Sequence, residues 1–304
     1  MGKTYLLGYV AANVRSMTSF TRTDRLGDHF TPRALREFVE GSAPEGFDLS
    51  DYTGLSSEAM LERILEHRKW RHHHGIDELA SRSDLYVAYV RRVEEMLAMI
   101  HDALVRHDLL DRLGSTSIVD LAAAEGFVTT RFVDWGATKV DAVELNAGNL
   151  DRLALIWHYL NYHDRAELNL SRMDFEQAGW GFNMPQSYSF VLALGIIYHL
   201  ENPLLFARNL YEITDDVCIV ESDTPTFADP KRFRGNGVVY LNKDQVTIEA
   251  GDVRKLIEFR PDREALIDIM LTSGFQSVEV LEPKPEANAT FYATGEKSVL
   301  LCRK

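Results

Sequence analysis

Ser117–Asn146 reads SIVDLAAAEGFVTTRFVDWGATKVDAVELN, and the fold turns on how it is read. Ser117–Ala122 is a short apolar run of the kind that makes a buried parallel strand. A turn of small residues, Ala122-Ala-Ala-Glu-Gly126, follows it. Phe127, Arg131, Phe132 and Trp135 then recur at helical spacing, and Gly136 stops that helix. Lys139–Leu145 makes a second apolar strand with Glu144 near its end. Strand, turn, helix and strand form the βαβ unit of a nucleotide-binding sheet. In such a unit the loop backbone meets the ligand and the second strand's acid takes ribose hydroxyls.

The turn says which nucleotide to expect. A dinucleotide site needs three spaced glycines so that a pyrophosphate can sit on the helix N-terminus. Here the loop has one glycine, and an acid opens it. Asp120, Ala122, Ala124 and Gly126 form an acid-x-small-x-small-x-glycine pattern that resembles motif I of the class I S-adenosylmethionine (SAM) methyltransferases. A sulfonium amino acid brings an ammonium group and no phosphate, which suits an acidic loop. The plainer alternative is an ordinary βα turn in an α/β enzyme with no such ligand. The family normally has glycine where Ala122 and Ala124 stand. Alanine disfavours positive φ, so a changed backbone path or cofactor pose is expected.

Composition sets outer bounds. The 304 residues can bury a full core, and 45% hydrophobic with 26% charged residues is ordinary for a globular chain. No apolar run is long enough to span a bilayer, and Met1–Ser16 lacks a long apolar core and a cleavage site. Cys218 and Cys302 fall in apolar strand-like runs, as buried thiols of a reducing cytoplasm do. A net charge of −13 and an isoelectric point near 5.2 argue against broad binding of a nucleic-acid backbone. The expected partner is therefore a small-molecule substrate, with no membrane and no nucleic acid, and a homodimer is admitted.

Upstream of the βαβ unit, Thr31-Pro32 opens a helix that Gly41 stops. Gly41–Gly54 reads as a loop, and Ser57 caps a helix striped by Met60, Leu61, Ile64 and Leu65. That helix is expected to run through His67-Arg-Lys-Trp-Arg-His-His-His74 to Gly75. Consecutive helical residues point in different directions, so the three histidines would not converge on one ion. Cations at a helix C-terminus are the simpler reading, and no metal site is expected. A long helix capped by Ser81 or Ser83 follows and ends near Gly114. Residues 1–114 thus form an N-terminal helical region, which the resemblance implies is a lid over the cofactor.

Downstream, Ala147–Tyr162 is helical and Ala166–Leu170 is a third strand, with Asp174-Phe175 after it. Phe190–Leu194 is a fourth strand, and Gly195-Ile-Ile-Tyr198-His199-Leu200 is expected to begin a helix that continues through Pro203–Thr214. Val217–Val220 is the fifth strand. Thr224–Phe259, with its glycines, prolines and aromatics, reads as an irregular cap over the substrate. Val278–Leu281 and Val299–Cys302 close the chain as a hairpin.

The stretch Gly195–His199, with Val238-Val-Tyr240, Phe259–Leu266 and Gly274-Phe275, is similar to the branch containing the bacterial tRNA wobble-uridine carboxymethyltransferases. The acidic charge argues against carrying over a tRNA substrate. The resemblance implies a Rossmann-like seven-stranded sheet over 115–304 with helices on both faces, and SAM as cofactor. It assigns cofactor contacts to Asp120, Ala122, Ala124, Gly126, Glu144, Asn146, Asp174, Phe175 and Leu194, with Asp174 taking the adenine amino group and Phe175 packing on its ring. Tyr198 and His199 are the expected catalytic pair, the first beside the sulfonium and the second as base. A cytoplasmic methyltransferase of small molecules leads. The alternatives are a SAM-cyclising enzyme that releases methylthioadenosine, as azetidine-carboxylate-forming enzymes do, and a SAM-fold binding protein without catalysis.

Overall fold

The computed structural model describes residues 44–67, 70–72, 74–80, 85–176, 180–225, 239–249, 252–284 and 291–304. All lie in the second of two compact units, Ser42–Lys304, the first being Met1–Gly41. The helix expected after Thr31-Pro32 lies outside the described residues.

Every strand of the main sheet is short and buried where it is central, which is what continuous Val/Ile/Leu runs dictate. The strands are β1 (Glu45–Gly46), β2 (Ile118–Leu121), β3 (Lys139–Glu144), β4 (Glu167–Arg172), β5 (Tyr188–Leu194), β6 (Thr214–Asp223), β9 (Ser277–Leu281) and β10 (Lys297–Arg303). They lie in the order β1-β4-β3-β2-β5-β6-β10-β9. The five strands from β4 to β6 are parallel to their neighbours, and β10 runs antiparallel between β6 and β9. This is the Rossmann-like sheet of the class I methyltransferase fold, with the two-residue β1 added antiparallel on the β4 edge.

Alternation along each strand feeds two cores. Ile118, Val140, Phe190, Leu192 and Ile219 pack on one face with Ile100 and Leu104 of α3 (Leu85–Arg106), Phe132 of α4 (Phe127–Asp134) and Trp157 of α5 (Ala147–Tyr159). Val119, Val143, Val191 and Val220 pack on the other with Phe206 of α6 (Pro203–Ile213) and Leu266 and Met270 of α7 (Arg263–Ser273). Cys218 and Cys302 face each other across β6 and β10 as buried free thiols. Among the described residues no helix is long and apolar enough to cross a membrane.

Several boundaries depart from the sequence reading. Helix α1 (Ser57–Glu66) is capped by Ser56, whose hydroxyl accepts from the Ala59 amide. It stops at Glu66, with His67 already extended, and a four-residue helix α2 (Asp77–Ala80) follows later. The stretch after β5 does not begin α6. Ile197–His199 makes one tight 3₁₀ turn and Leu200 is extended. Pro203 has no amide hydrogen to donate and pushes the preceding residue out of the helical region, so α6 starts afresh with Asn202 as its cap. The expected irregular cap at 224–259 contains an antiparallel pair, β7 (Val239–Glu249) and β8 (Asp252–Pro261). Two β-branched runs separated by Ala250-Gly251 are a hairpin signal, and composition alone hid it.

Gly126 fixes how α4 leaves the sheet. Its φ is +79°, and a methyl group there would stand 2.0 Å from Leu153 Cδ1 on α5. Gly126→Ala should therefore lower the unfolding free energy by about 2–4 kcal/mol, from left-handed strain plus overpacking. Ala122→Gly and Ala124→Gly should each be neutral or stabilising by up to about 1 kcal/mol, because these residues also have positive φ without needing a side-chain change elsewhere. Urea denaturation of the three variants checks both signs.

Candidate functional site

In this sheet the order reverses between β2 and β5, which pair directly, Leu121 opposite Ala193. The loops leaving those two strands, Ala122–Gly126 and Gly195–Leu200, therefore border one crevice at the carboxyl edge, where α/β sheets bind ligands.

Ala122 (φ +59°) and Ala124 (φ +50°) both adopt the left-handed conformation that glycine would take without strain. The expected change in backbone path does not occur, and the chain follows the glycine-type route at an energetic cost. Glu144 supports it. One carboxylate oxygen accepts from the Ala124 amide and the other from the Asn146 amide, both at 2.9 Å. A carboxylate has further lone pairs, so these bonds orient Glu144 without exhausting it. Asn146 caps α5 through its side-chain oxygen, which accepts from the Asn149 amide.

Asp120 is fully enclosed and accepts a 2.6 Å hydrogen bond from the Thr129 hydroxyl of α4. Burial raises its carboxyl to about 7. The Thr129 bond opposes that rise, and the charge of Glu144 adds to it. Asp174 follows β4 and turns the chain by accepting from the Glu176 amide at 3.0 Å. Phe175 follows it as a buried ring that meets Trp180 and Phe206 at steep interplanar angles of 75° and 81°. Leu194 ends β5 and is half-buried.

Beyond β5, Gly195 (φ +83°) opens a space in which an added methyl would stand 3.5 Å from Glu221 Oε2 and 3.7 Å from the Tyr198 hydroxyl. Tyr198 is buried, with Lys297 Nζ 5.1 Å and Arg260 5.7 Å from its ring centroid, so this ring already faces cations. His199 is about one-third exposed, and its Nδ1 lies 2.5 Å from Oε1 of the wholly buried Glu258. With Nδ1 donating to the carboxylate, Nε2 is the nitrogen of a neutral ring that would be left to accept a proton. Arg260 holds the other Glu258 oxygen through Nε at 3.0 Å and Nη2 at 2.7 Å. Buried Lys297 pairs with Glu221 at 3.0 Å and with Asp223, and the Tyr292 hydroxyl donates to Glu221 at 3.2 Å.

Glu258, Arg260 and Lys297 were not foreseen from the sequence. Once 252–261 is recognised as a strand, residues 258 and 260 share a face, which was the available signal. A second unforeseen cluster surrounds Glu125 of the loop Ala122–Gly126. Its Oε1 accepts from the Arg71 amide at 2.7 Å, the His72 amide at 2.5 Å and His72 Nδ1 at 3.1 Å. Burial pushes His72 down to about 4. Burial alone would raise Glu125, but hydrogen bonds from His72 and His74 outweigh it and bring the carboxyl to about 2.

No protein-family model and no curated protein matches the chain. Among solved structures it is similar to magnesium protoporphyrin IX methyltransferase from Synechocystis PCC 6803 with bound S-adenosylhomocysteine (SAH). The identity is 13%, the TM-score 0.49, and 84% of this chain and 97% of that one are covered. It is also similar to the N-terminal domain of EvdMO1, crystallised with SAH and D-fucose, at 16% identity and a TM-score of 0.45 over 65% and 79% of the two chains. A third is DhpI in its SAM–HEP complex, at 13% identity and a TM-score of 0.44 over 82% and 100%. At such values the strand order, rather than the likeness, carries the fold assignment.

Asp120 makes stability depend on pH. Its folded-state value of about 7 lies above the ordinary carboxyl value of 3.8, so between those limits the native state holds a proton that the unfolded chain has lost. Stability must then fall as pH rises from about 4 to about 7. Asp120→Asn cannot titrate, so the wild type should lose about 2–4 kcal/mol relative to it across that window. Denaturation of both proteins at a series of pH values measures the difference, and parallel curves would show that Asp120 is ionised in the fold.

Proposed function

We propose that the protein is a SAM-dependent methyltransferase of a small molecule. The observation that carries this reading is the His199–Glu258 pair, set at the switch-point crevice that the left-handed, acid-supported loop also borders. In this reading Glu144 takes the ribose hydroxyls, Asp174 the adenine amino group, and the loop Asp120–Gly126 the methionine end. Asn146 and Leu194 line the same edge. The cofactor supplies an electrophilic methyl on a sulfonium.

Methyl transfer is an in-line displacement in which positioning and exclusion of water do most of the work. The chain's own part would be to hold the acceptor's lone pair in line with the methyl–sulfur bond of the bound cofactor, so that the methyl would pass to the acceptor and SAH would be released. His199 Nε2 receives the acceptor's proton, with Glu258 holding the ring and offsetting the imidazolium charge. The Tyr198 hydroxyl and Glu221 line the wall beside Gly195. Described residues of the N-terminal helical region pack into the same core as the sheet, and the 224–259 segment would complete the enclosure. The acidic chain, at net charge −13, suits a small acceptor better than a polyanionic one.

Incubation with SAM and a panel of hydroxyl- and amine-bearing metabolites should yield SAH and a methylated product. Methylthioadenosine formed without an acceptor would replace this reading with cyclisation of SAM. Once an acceptor is found, His199→Gln should lower kcat by about 10²–10⁴ while SAM affinity stays near wild type. Glu258→Gln, which keeps one acceptor oxygen, should lower kcat less and leave KM for SAM unchanged. Wild-type turnover in both variants would make catalysis positional.

A further inference from the structure

The histidine run after α1 does not behave as its sequence suggests. The helix stops at Glu66 and the described residues 70–72 and 74–76 are not helical, so the geometric objection to convergence disappears. His72 and His74 stand two residues apart. His74 is in the left-handed region (φ +49°) and Gly75 follows at +77°. Bending the chain there brings both rings to the same side, against the cofactor loop. One ligand atom each from His72, His74 and Glu125 lie within 4.8 Å of one another. We infer that His72, His74 and Glu125 bind a divalent transition-metal ion, zinc by the character of the donors, and that the ion clamps segment 70–76 to the cofactor loop.

Three features support this assignment. The first is spacing. A tetrahedral zinc ion with bonds of about 2.0–2.1 Å holds its ligand atoms roughly 3.3 Å apart. Here His72 Nδ1 is 3.1 Å and His74 Nε2 is 3.9 Å from Glu125 Oε1, and no pair of ligand atoms is more than 4.8 Å apart, so the side chains need only close in by about 1.5 Å at most. The second is burial: the three side chains are 6%, 1% and 2% exposed. Withdrawing two imidazoles and a carboxylate from water is costly, and an ion shared by all three offsets that cost. The third is chemistry. Two imidazoles and one carboxylate suit zinc, whereas calcium or magnesium would require more oxygen donors.

The surroundings fit an enclosed site. Phe127 stacks on His72 with ring centroids 4.1 Å apart, and Trp70 meets His74 edge-on at 5.8 Å. The Arg71 and His72 amides hold the Glu125 carboxylate in place through Oε1, an oxygen that a metal ion would share with them. The positive Arg152 Nε, 3.8 Å from Glu125 Oε2, moderates the affinity for a dication. A set of three protein donors leaves a fourth tetrahedral position to water.

The inference is independent of the methyl-transfer reading, and so is its test. Protein stripped with a chelator is titrated with zinc against a chromophoric competitor, and the metal retained after gel filtration is counted. Wild type and the surface control His163→Ala should each retain about one zinc per chain, and zinc should raise the thermal midpoint of both. His72→Ala and His74→Ala should bind zinc at least about 100-fold more weakly, with no midpoint shift. Zinc retained by the His72→Ala/His74→Ala double variant as by the wild type would overturn the assignment. Should the variants not fold, an anomalous difference map from zinc-soaked wild-type crystals decides. A peak between His72, His74 and Glu125 supports the site, and no peak there overturns it.

Discussion

The Glu144 carboxylate spans two loops, accepting one backbone amide from Ala124 after β2 and another from Asn146 after β3. Much of the cleft depends on this bridge. It holds a loop with two left-handed alanines, each costing roughly 1–2 kcal/mol against the ordinary helical or extended basins. It also fixes the N-terminus of α5, whose Leu153 requires glycine at 126. Strain of this kind persists only where the surroundings over-determine it. Here a buried carboxylate, a hydrogen bond from Thr129 to Asp120 and a close helix contact all constrain the same five residues.

The segment preceding the sheet is fastened to this same loop region. Asp151 on α5 gathers Tyr52, Arg63 and His67, and Glu125 in the loop gathers Arg71 and His72. Two acids of the sheet-forming region thus hold Tyr52, α1 and residues 67, 71 and 72 against it. At the other end of the crevice the hairpin β7–β8 supplies Glu258 and Arg260, which orient His199. The parallel strands provide the floor, and residues from outside the βαβ core supply the polar side chains at both flanks. This division matches the general habit of placing chemistry on peripheral elements held by a rigid scaffold.

The sheet was legible because its strands are continuous apolar runs and its loops carry acid and glycine at fixed spacing. Asp120, Glu144 and Gly126 could be placed from those signals alone. What stayed hidden depended on contacts distant in sequence. Glu258 lies fifty-nine residues from His199, and Glu125 fifty-three from His72, so neither partnership has a local signature. The histidine run misled because a helical phase was extended past Glu66, where the chain is already extended at His67.

The central claim is that Glu144 organises a SAM site, and titration calorimetry of SAM into wild type and Glu144→Gln tests it most directly. Circular dichroism and the melting midpoint of the variant confirm that it is folded. Glutamine can still accept one of the two amide bonds but loses the charge and the second acceptor, so the loop survives while ribose recognition is weakened. The account predicts measurable SAM binding to wild type and an affinity at least about tenfold lower in the variant, a difference of roughly 1.4 kcal/mol. Equal affinities in two folded proteins, or no binding to wild type, would contradict it.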